Sequence, residues 1–340
     1  MKNWQTIRFQ ALEYLQQIML KKGEALQKEI SGSAANNRWF TPKNYDQAID
    51  QIAAKWLDKE SLETWAGNYS FPDLAPQKNI GLVLAGNIPM VGFHDWLSAF
   101  VSGNNALIKL SDKDPYVLPF LVSQLEEAFP DLKGQSQFVE RLTDYDATIA
   151  TGSDNSARYF EYYFGSKPHI IRKNRNAIAV LSGAESGEEL DGLAKDIFSY
   201  FGLGCRNVSK IYIPERFDIS AFMEKMHEQK ELVLHNKYKN NFDYNHTLFL
   251  MNKVDHYTNG CLLLLEDPSL TSRIATLHYE VYGSLEQLES ELAQDQDKIQ
   301  CVVSSLDLKS LPVISFGEAQ NPGLTDYADG VDTVDFLNSL

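Results

Sequence analysis

The sequence predicts an α/β protein of two domains built on parallel sheets, and three observations predict it. Its 340 residues are about two domains' worth of chain at roughly 150 residues each. Between residues 79 and 213, short runs rich in Ile, Val and Leu alternate with segments that carry apolar residues at three-to-four spacing. That is the pattern of strands covered on both faces by crossover helices. The composition, 44% apolar, 23% charged and 11% aromatic, can fill such cores and excludes wholesale disorder.

In chain order, residues 4–30 place Ile7, Ala11, Tyr14, Leu15 and Ile18 on one helical stripe, and residues 45–65 repeat the pattern with Ile49, Ile52, Ala53, Trp56 and Leu57. Residues 1–75 therefore read as a helical region that ends at Pro72 and Pro76. Strands are predicted at 79–85, 106–110, 147–150, 177–181 and 210–213, with helices at 94–101, 115–129, 155–164 and 188–201 between them. Beyond Glu215 the pattern gives a helix at 220–231, strands at 247–251, 261–265 and 300–304, and an acidic helix at 285–294. The tail is rich in Gly, Asp and Pro, yet Phe316, Leu324, Tyr327, Val331, Val334 and Phe336 give it apolar anchors, so it reads as a docking arm. The predicted boundaries are 1–75, packed on 76–181, then 182–313 and the tail 314–340.

Charge and motif content exclude several function classes. Acidic residues outnumber basic ones 46 to 31, a net charge of −15 that repels nucleic-acid phosphates and anionic lipid. No apolar run is long enough for a membrane span, and Gln10, Glu13, Gln16 and Gln17 interrupt any signal-peptide pattern, so the cytoplasm is the expected location. Cys205, Cys261 and Cys301 form no Cys-x-x-Cys pair, and the histidines show no metal spacing, so no metal is assigned and reduced thiols are expected. There is no G-x-S-x-G elbow and no phosphate-binding lysine loop of the Walker type.

Four places carry possible chemistry. Asn87, in Ala85-Gly-Asn87-Ile-Pro89, follows a strand at the edge where open α/β sheets bind ligands; it is also a plausible cap for the next helix. Cys205 lies between Gly202-Leu-Gly204 and Arg206-Asn207, where glycines let a substrate approach and Arg206 favours a thiolate; a small core thiol is the plain alternative. Thr151-Gly152-Ser153 opens a helix after a strand, a turn suited to phosphate but common to any tight junction. Lys109, at the end of a strand and followed by Ser111-Asp112, is placed for ribose hydroxyls or simply for solvent.

In this order the motifs resemble the aldehyde dehydrogenase superfamily, and in particular its acyl-CoA reductase (LuxC-like) branch, from about Ile80 to the carboxyl end. Ala85-Gly-Asn87-Ile-Pro89 is similar to the family's proline-bearing Asn motif. The stretch from Ser102 to Asp112 is similar to its ribose-binding G-N-x-V-x-x-K-P-S-E, Thr151-Gly152-Ser153 to its T-G-S turn, Gly204-Cys205 to its nucleophile, and Glu280-Val-Tyr-Gly283 to its E-I-F-G. The resemblance implies a Rossmann-type cofactor domain plus an α/β catalytic domain. It implies catalytic roles for Cys205 and Asn87 and cofactor contacts for Lys109, Ser111, Asp112, Gly152, Ser153 and Glu280.

The implied reaction is NAD(P)H-dependent reduction of an acyl-CoA to an aldehyde through an acyl-cysteine, with the oxyanion held by the Asn87 amide and the Cys205 N–H. NADPH is the implied cofactor and NADH the alternative, since Asp112 favours a ribose 2′-hydroxyl whereas Lys113 suits a 2′-phosphate. Phosphate contacts are expected from Lys109, Lys113, Arg172, Lys173 and Arg175. The family's oxidising members carry a general-base glutamate where Arg172-Lys-Asn-Arg-Asn176 stands here, so hydrolytic deacylation is not expected. The oligomerisation hairpin of the family is not identifiable, which leaves a homo-oligomer open. Two alternatives stand: a non-catalytic nucleotide-binding or interaction protein of the same fold, and a cysteine-dependent thioester hydrolase with His94 or His169 as base.

Overall fold

The computed structural model describes residues 4–71, 78–152, 154–309 and 311–340. They form two compact units, Met1–Asn174 together with Pro322–Leu340, and Arg175–Asn321.

The first unit begins with helices α1 (Trp4–Lys21), α2 (Glu24–Asn36), α3 (Pro42–Gln51) and α4 (Lys59–Ala66). Thr41 and Asp58 cap α3 and α4 by accepting from Asn44 and Ser61 N–H groups, and Pro42 opens α3 with its fixed φ. Next come β1 (Asn79–Val83), α5 (Phe93–Val101), β2 (Asn105–Lys109), α6 (Val117–Ala128), β3 (Ser136–Phe138), β4 (Ala147–Thr151), α7 (Asp154–Phe164) and β5 (His169–Arg172). Among the described residues the sheet order is β3-β2-β1-β4-β5, with every pair parallel. Ile80, Leu82, Ile108 and Ile149 of the strands share one core with Leu12, Leu15 and Met19 of α1 and with Trp96 and Leu121 of α5 and α6. The strand order reverses between β1 and β4, and at such a reversal the flanking connections diverge and leave a crevice at the carboxyl ends.

The second unit contains β6 (Asn176–Val180), α8 (Gly187–Phe198), β7 (Val208–Pro214), α9 (Ile219–Met226), α10 (Asn236–Asn252), β8 (Tyr257–Thr258), β9 (Leu263–Glu266), β10 (Thr276–Tyr282), α11 (Leu285–Gln294), β11 (Ile299–Val303) and β12 (Val313–Ile314). A capping box fixes the start of α8, Ser186 and Glu189 each satisfying the other's backbone N–H. The sheet order is β12-β11-β6-β7-β10-β9-β8, parallel except for the β8–β9 pair. Its two faces bury separate cores, Leu193, Ile197, Val208 and Ile211 on the α8 side and Ile178, Tyr212, Leu288 and Val302 on the α11 side.

The chain then returns to the first unit and ends in α12 (Thr333–Asn338). Aromatic side chains of the helical region hold this return. Trp56 Nε1 donates to the Pro322 carbonyl at 2.9 Å, Trp65 Nε1 to the Tyr327 hydroxyl at 2.7 Å, and the Tyr69 hydroxyl to Asp332 at 2.7 Å. Val334 and Leu337 are buried beside them.

Three expectations are corrected. The division falls at Asn174/Arg175, ahead of the strand at 177–181, because β6 pairs with β7 and β11 of the second sheet. The tail divides at Asn321/Pro322, its first part staying with the second unit. Residues 247–251 are helical, since Phe242, Asn245 and Phe249 of α10 face inward at helical spacing.

Candidate active site

In the first unit the predicted residues gather at one edge of the sheet. Asn87 follows β1, Lys109, Ser111 and Asp112 follow or end β2, and Gly152 follows β4. These are the three central strands, and the reversal of order lies among them. Ser153 lies outside the described residues.

The turn that carries Asn87 is held from two sides. A Cβ at Gly86 would stand 2.4 Å from Ser111 Oγ and 3.0 Å from Lys113 Cβ, so only glycine lets the two strand ends approach this closely. Met90 takes a left-handed φ of 57°, and its N–H donates to Asp114 Oδ2 at 2.9 Å. The other Asp114 oxygen accepts the Tyr45 hydroxyl of α3, and burial pushes the Asp114 carboxyl above its usual range. Helix α5 starts later than the motif suggests, at Phe93, with Gly92 in the capping position. Asn87 is therefore not the cap of that helix.

Lys109 and Asp112 are exposed, and Asn36 of α2 donates to the Asp112 carbonyl at 2.8 Å. A Cβ at Gly152 would stand 2.8 Å from Ser156 Cβ and from the Phe160 ring, so the glycine lets the β4–α7 turn sit tightly on its helix. This edge fits a dinucleotide, with a close-packed glycine turn at a helix start and a strand-end lysine and carboxylate at the reversal point.

Arg172, expected to meet phosphate, is instead buried. It pairs with Asp95 of α5 and donates to Thr333 Oγ1 of α12 at 2.9 Å, so it fastens the tail to the sheet. The two candidate bases are also engaged in structure. His94 Nε2 lies 3.0 Å from the Leu324 carbonyl with its ring edge-on to Trp56, Trp65 and Tyr327, and His169 Nδ1 lies 2.8 Å from the Lys167 carbonyl.

In the second unit Cys205 lies on the loop between α8 and β7. The loop begins with three consecutive left-handed residues, Tyr200 (φ 52°), Phe201 (φ 60°) and Gly202 (φ 75°). Side chains rarely accept that conformation, and here both aromatic residues are buried, Phe201 stacking on His235 at 4.3 Å between centroids. Cys205 is half-buried. The other thiols are held protonated by burial, Cys261 pushed up to about 11 and Cys301 up to about 12 although Arg206 acts against the shift. Arg206 therefore acts on Cys301 as well as standing next to Cys205 in sequence.

The last segment of this unit is strapped beside the loop. The buried Asp196 carboxylate of α8 accepts the N–H groups of Gly317 at 2.7 Å and Ala319 at 3.0 Å, and burial pushes its carboxyl up to about 6. Gln320 of the same segment lies against Gly204, where a Cβ would stand 3.5 Å from its Oε1.

Glu280 is placed elsewhere. On β10 it is level with Tyr212, four residues into β7, or about 13 Å along the strand from Val208 at 3.3 Å per residue. Its Oε2 accepts from Lys210 Nζ at 2.7 Å, and that ammonium, almost wholly buried, also donates to the Pro268 carbonyl at 2.8 Å. Lys210 was legible only as a strand residue. No group of three or more His, Cys, Asp or Glu side chains among the described residues is placed to hold a metal ion, and no described helix is long and apolar enough to cross a membrane.

Comparison with known proteins agrees with this architecture. A family model described as acyl-CoA reductase (LuxC) matches residues 2–241. A long-chain acyl-protein thioester reductase from Aliivibrio fischeri is 25% identical over 188 residues, which is 50% of this chain and 37% of that protein, so the match spans well under half of the relative's length. Among solved structures, aldehyde dehydrogenase 21 from Physcomitrella patens, in complex with the reaction product succinate, superposes with a TM-score of 0.74 at 12% identity over 99% of this chain and 84% of that one. The NAD+ complex of an aldehyde dehydrogenase from Bacillus cereus does so with a TM-score of 0.69 at 13% identity over 93% and 76%. The fold is that of the aldehyde dehydrogenases, and the chain belongs to the acyl-CoA reductase (LuxC) family.

Proposed function

We propose that this chain reduces an acyl thioester, in the first place an acyl-CoA, to an aldehyde through an acyl group carried on Cys205, with NADPH or NADH as the reductant. The observation that carries the reading is the loop of Cys205. Its half-buried thiol lies three residues beyond a loop start that holds Tyr200 and Phe201 in the left-handed region, whereas Cys261 is fully buried and burial pushes the Cys301 thiol upward. Strain of this kind persists where surrounding packing over-determines it, and it concentrates at reacting groups.

In this reading the Cys205 thiolate attacks the thioester carbonyl, the coenzyme thiolate leaves, and an acyl-cysteine remains. The Asn87 amide serves the oxyanion of that step, a role the family resemblance implies and one to which the two-sided hold on its turn is suited. The nicotinamide cofactor would be held by Gly152, Lys109, Ser111 and Asp112, and when bound it supplies the hydride that reduces the acyl carbon. Ser153 belongs to the same turn by sequence. Exposed Lys109, Lys113 and Lys173 and half-buried Arg175 are the cations offered to phosphate, and Arg172, engaged with Asp95, is withdrawn from that set. Glu280, whose part-exposed carboxylate also accepts from the buried Lys210 ammonium through one oxygen, is proposed for the nicotinamide ribose. A long-chain acyl group held as a thioester on a protein is the second substrate reading, favoured by the name of the Aliivibrio fischeri relative.

The test is aldehyde release. Purified protein with short- and long-chain acyl-CoA should oxidise NADPH and form aldehyde in equal amounts, and Cys205→Ser should do neither, because serine's alkoxide is a poor nucleophile near neutral pH. NADPH-independent release of free acid would replace the reductase by the hydrolase.

A further inference from the structure

Asn207, two residues beyond the nucleophile, makes five hydrogen bonds and is buried to within 4%. Its Oδ1 accepts the Gly204 N–H at 2.7 Å, while its own backbone N–H donates to the Gly204 carbonyl at 3.0 Å. The pair closes a turn with Cys205 and Arg206 as its two central residues. Its Nδ2 donates to the carbonyls of Asp196 at 3.0 Å, Ile197 at 3.4 Å and Ser199 at 2.9 Å. Those carbonyls belong to the last turn of α8 and the residue after it, groups that a helix end leaves without intrahelical partners. One side chain therefore joins the cysteine turn to the end of a helix whose start is fixed by its own capping box. Gly204 has no room for a side chain because of the same contact, a Cβ there standing 2.9 Å from Asn207 Oδ1.

We infer that Asn207 is the positioning residue of the nucleophile, holding Cys205 on a fixed turn against the carboxyl end of α8 so that the thiol meets an acyl carbonyl in one orientation. The inference rests on Cys205 being the reacting thiol. A helix end can be satisfied by water or by a glycine turn. Here the left-handed run Tyr200–Gly202 turns the chain away from α8, and Asn207 takes up the carbonyls that this run leaves behind. An aliphatic residue at 207 would free both the turn and those carbonyls. The thiol would then become more mobile and more open to a small reagent, while the fraction of time it spends aligned for acyl transfer would fall.

The test compares Asn207→Ala and Asn207→Asp with Asn245→Ala. The Asp variant keeps an acceptor for Gly204 but sets a carboxylate against three carbonyl oxygens. Asn245 is equally buried and likewise donates to a backbone carbonyl, that of Ile274 at 3.0 Å, but it lies on α10. Acylation of Cys205 by hexanoyl- and palmitoyl-CoA is followed by intact mass, and alkylation of Cys205 by iodoacetamide is read in parallel on the folded proteins. Both Asn207 variants should lower the limiting acylation rate about tenfold or more, with the half-saturating acyl-CoA concentration within about twofold of the parent. Alkylation should become faster in both. Asn245→Ala should lower thermal stability and leave both rates at the parent level. Parent-like acylation and alkylation in a folded Asn207 variant, or equal losses in Asn245→Ala, would overturn the inference. Failure of the parent itself to be acylated would instead strike the proposed function, and unchanged alkylation in the Asn207 variants would then still overturn the role of Asn207.

Discussion

Asn87 and Glu280 were picked out by the same kind of motif, and their surroundings now set them apart. Asn87 stands on a turn fixed by the Asp114–Met90 contact and by the Gly86–Ser111 approach, at the carboxyl edge of the sheet. Loss of one oxyanion donor costs roughly 10²–10³ in turnover. Asn87→Ala should lose that much while keeping its thermal midpoint and its nicotinamide affinity, and a parent-like rate would remove Asn87 from the chemistry. Glu280 answers a buried ammonium. Glu280→Gln keeps the shape and an acceptor but leaves Lys210 without a countercharge, and should lower stability by about 1–2 kcal/mol in urea titration, a modest figure because the carboxylate side is part-exposed. Reduction by NADPH should slow while acylation of Cys205 is spared. Parent-like reduction would remove Glu280 from the ribose. The motif residues were legible because glycine, proline and cysteine mark turns and nucleophiles in any context. Asp114, Asp196 and Asn207 were not, because an Asp or Asn takes its role from partners that only the folded chain supplies.

At the scale of elements, the strands that the sequence revealed are those with unbroken apolar runs, such as Asn79–Val83 and Ala147–Thr151, whose centres are buried. Those it concealed are short edges or carry buried polar residues. β3 has three residues, and β10 holds buried Thr276 and His278 among its apolar ones. Residues 247–251 misled in the opposite way, an apolar run on a helix whose inward face is set by Phe242, Asn245 and Phe249. The strap between α8 and residues 317–319 yields a pH dependence. Folding raises the Asp196 carboxyl to about 6, whereas the unfolded chain releases that proton near the ordinary value of about 4. Between those values the folded state binds the extra proton, so this group's contribution to stability falls as pH rises and then levels off above about pH 6. Relative to Asp196→Asn, the parent should therefore be more stable at pH 4 than at pH 7, as read by paired urea titrations. A difference that moves in the parent's favour with rising pH would mean that the two N–H donors outweigh burial.

Across the whole molecule, the sequence disclosed the fold class and the alternation of strand and helix, but not where one unit ends. That boundary depends on which sheet the strand at Asn176–Val180 joins, a choice made by neighbours distant in sequence. The segment at the boundary bears on the chemistry, because it holds Arg172 and Lys173 where the oxidising relatives of the resemblance carry a glutamate base. An acyl-cysteine formed here has no carboxylate in that segment to activate water. The most direct measurement is the intact mass of the protein after mixing with acyl-CoA, first without and then with NADPH. One acyl group should appear on Cys205, persist for minutes, and leave as aldehyde when NADPH is added, with Cys261→Ala and Cys301→Ala behaving like the parent and Cys205→Ala taking up nothing. Prompt loss of the acyl group as free acid before NADPH is added, or no mass gain at any chain length, would contradict the account.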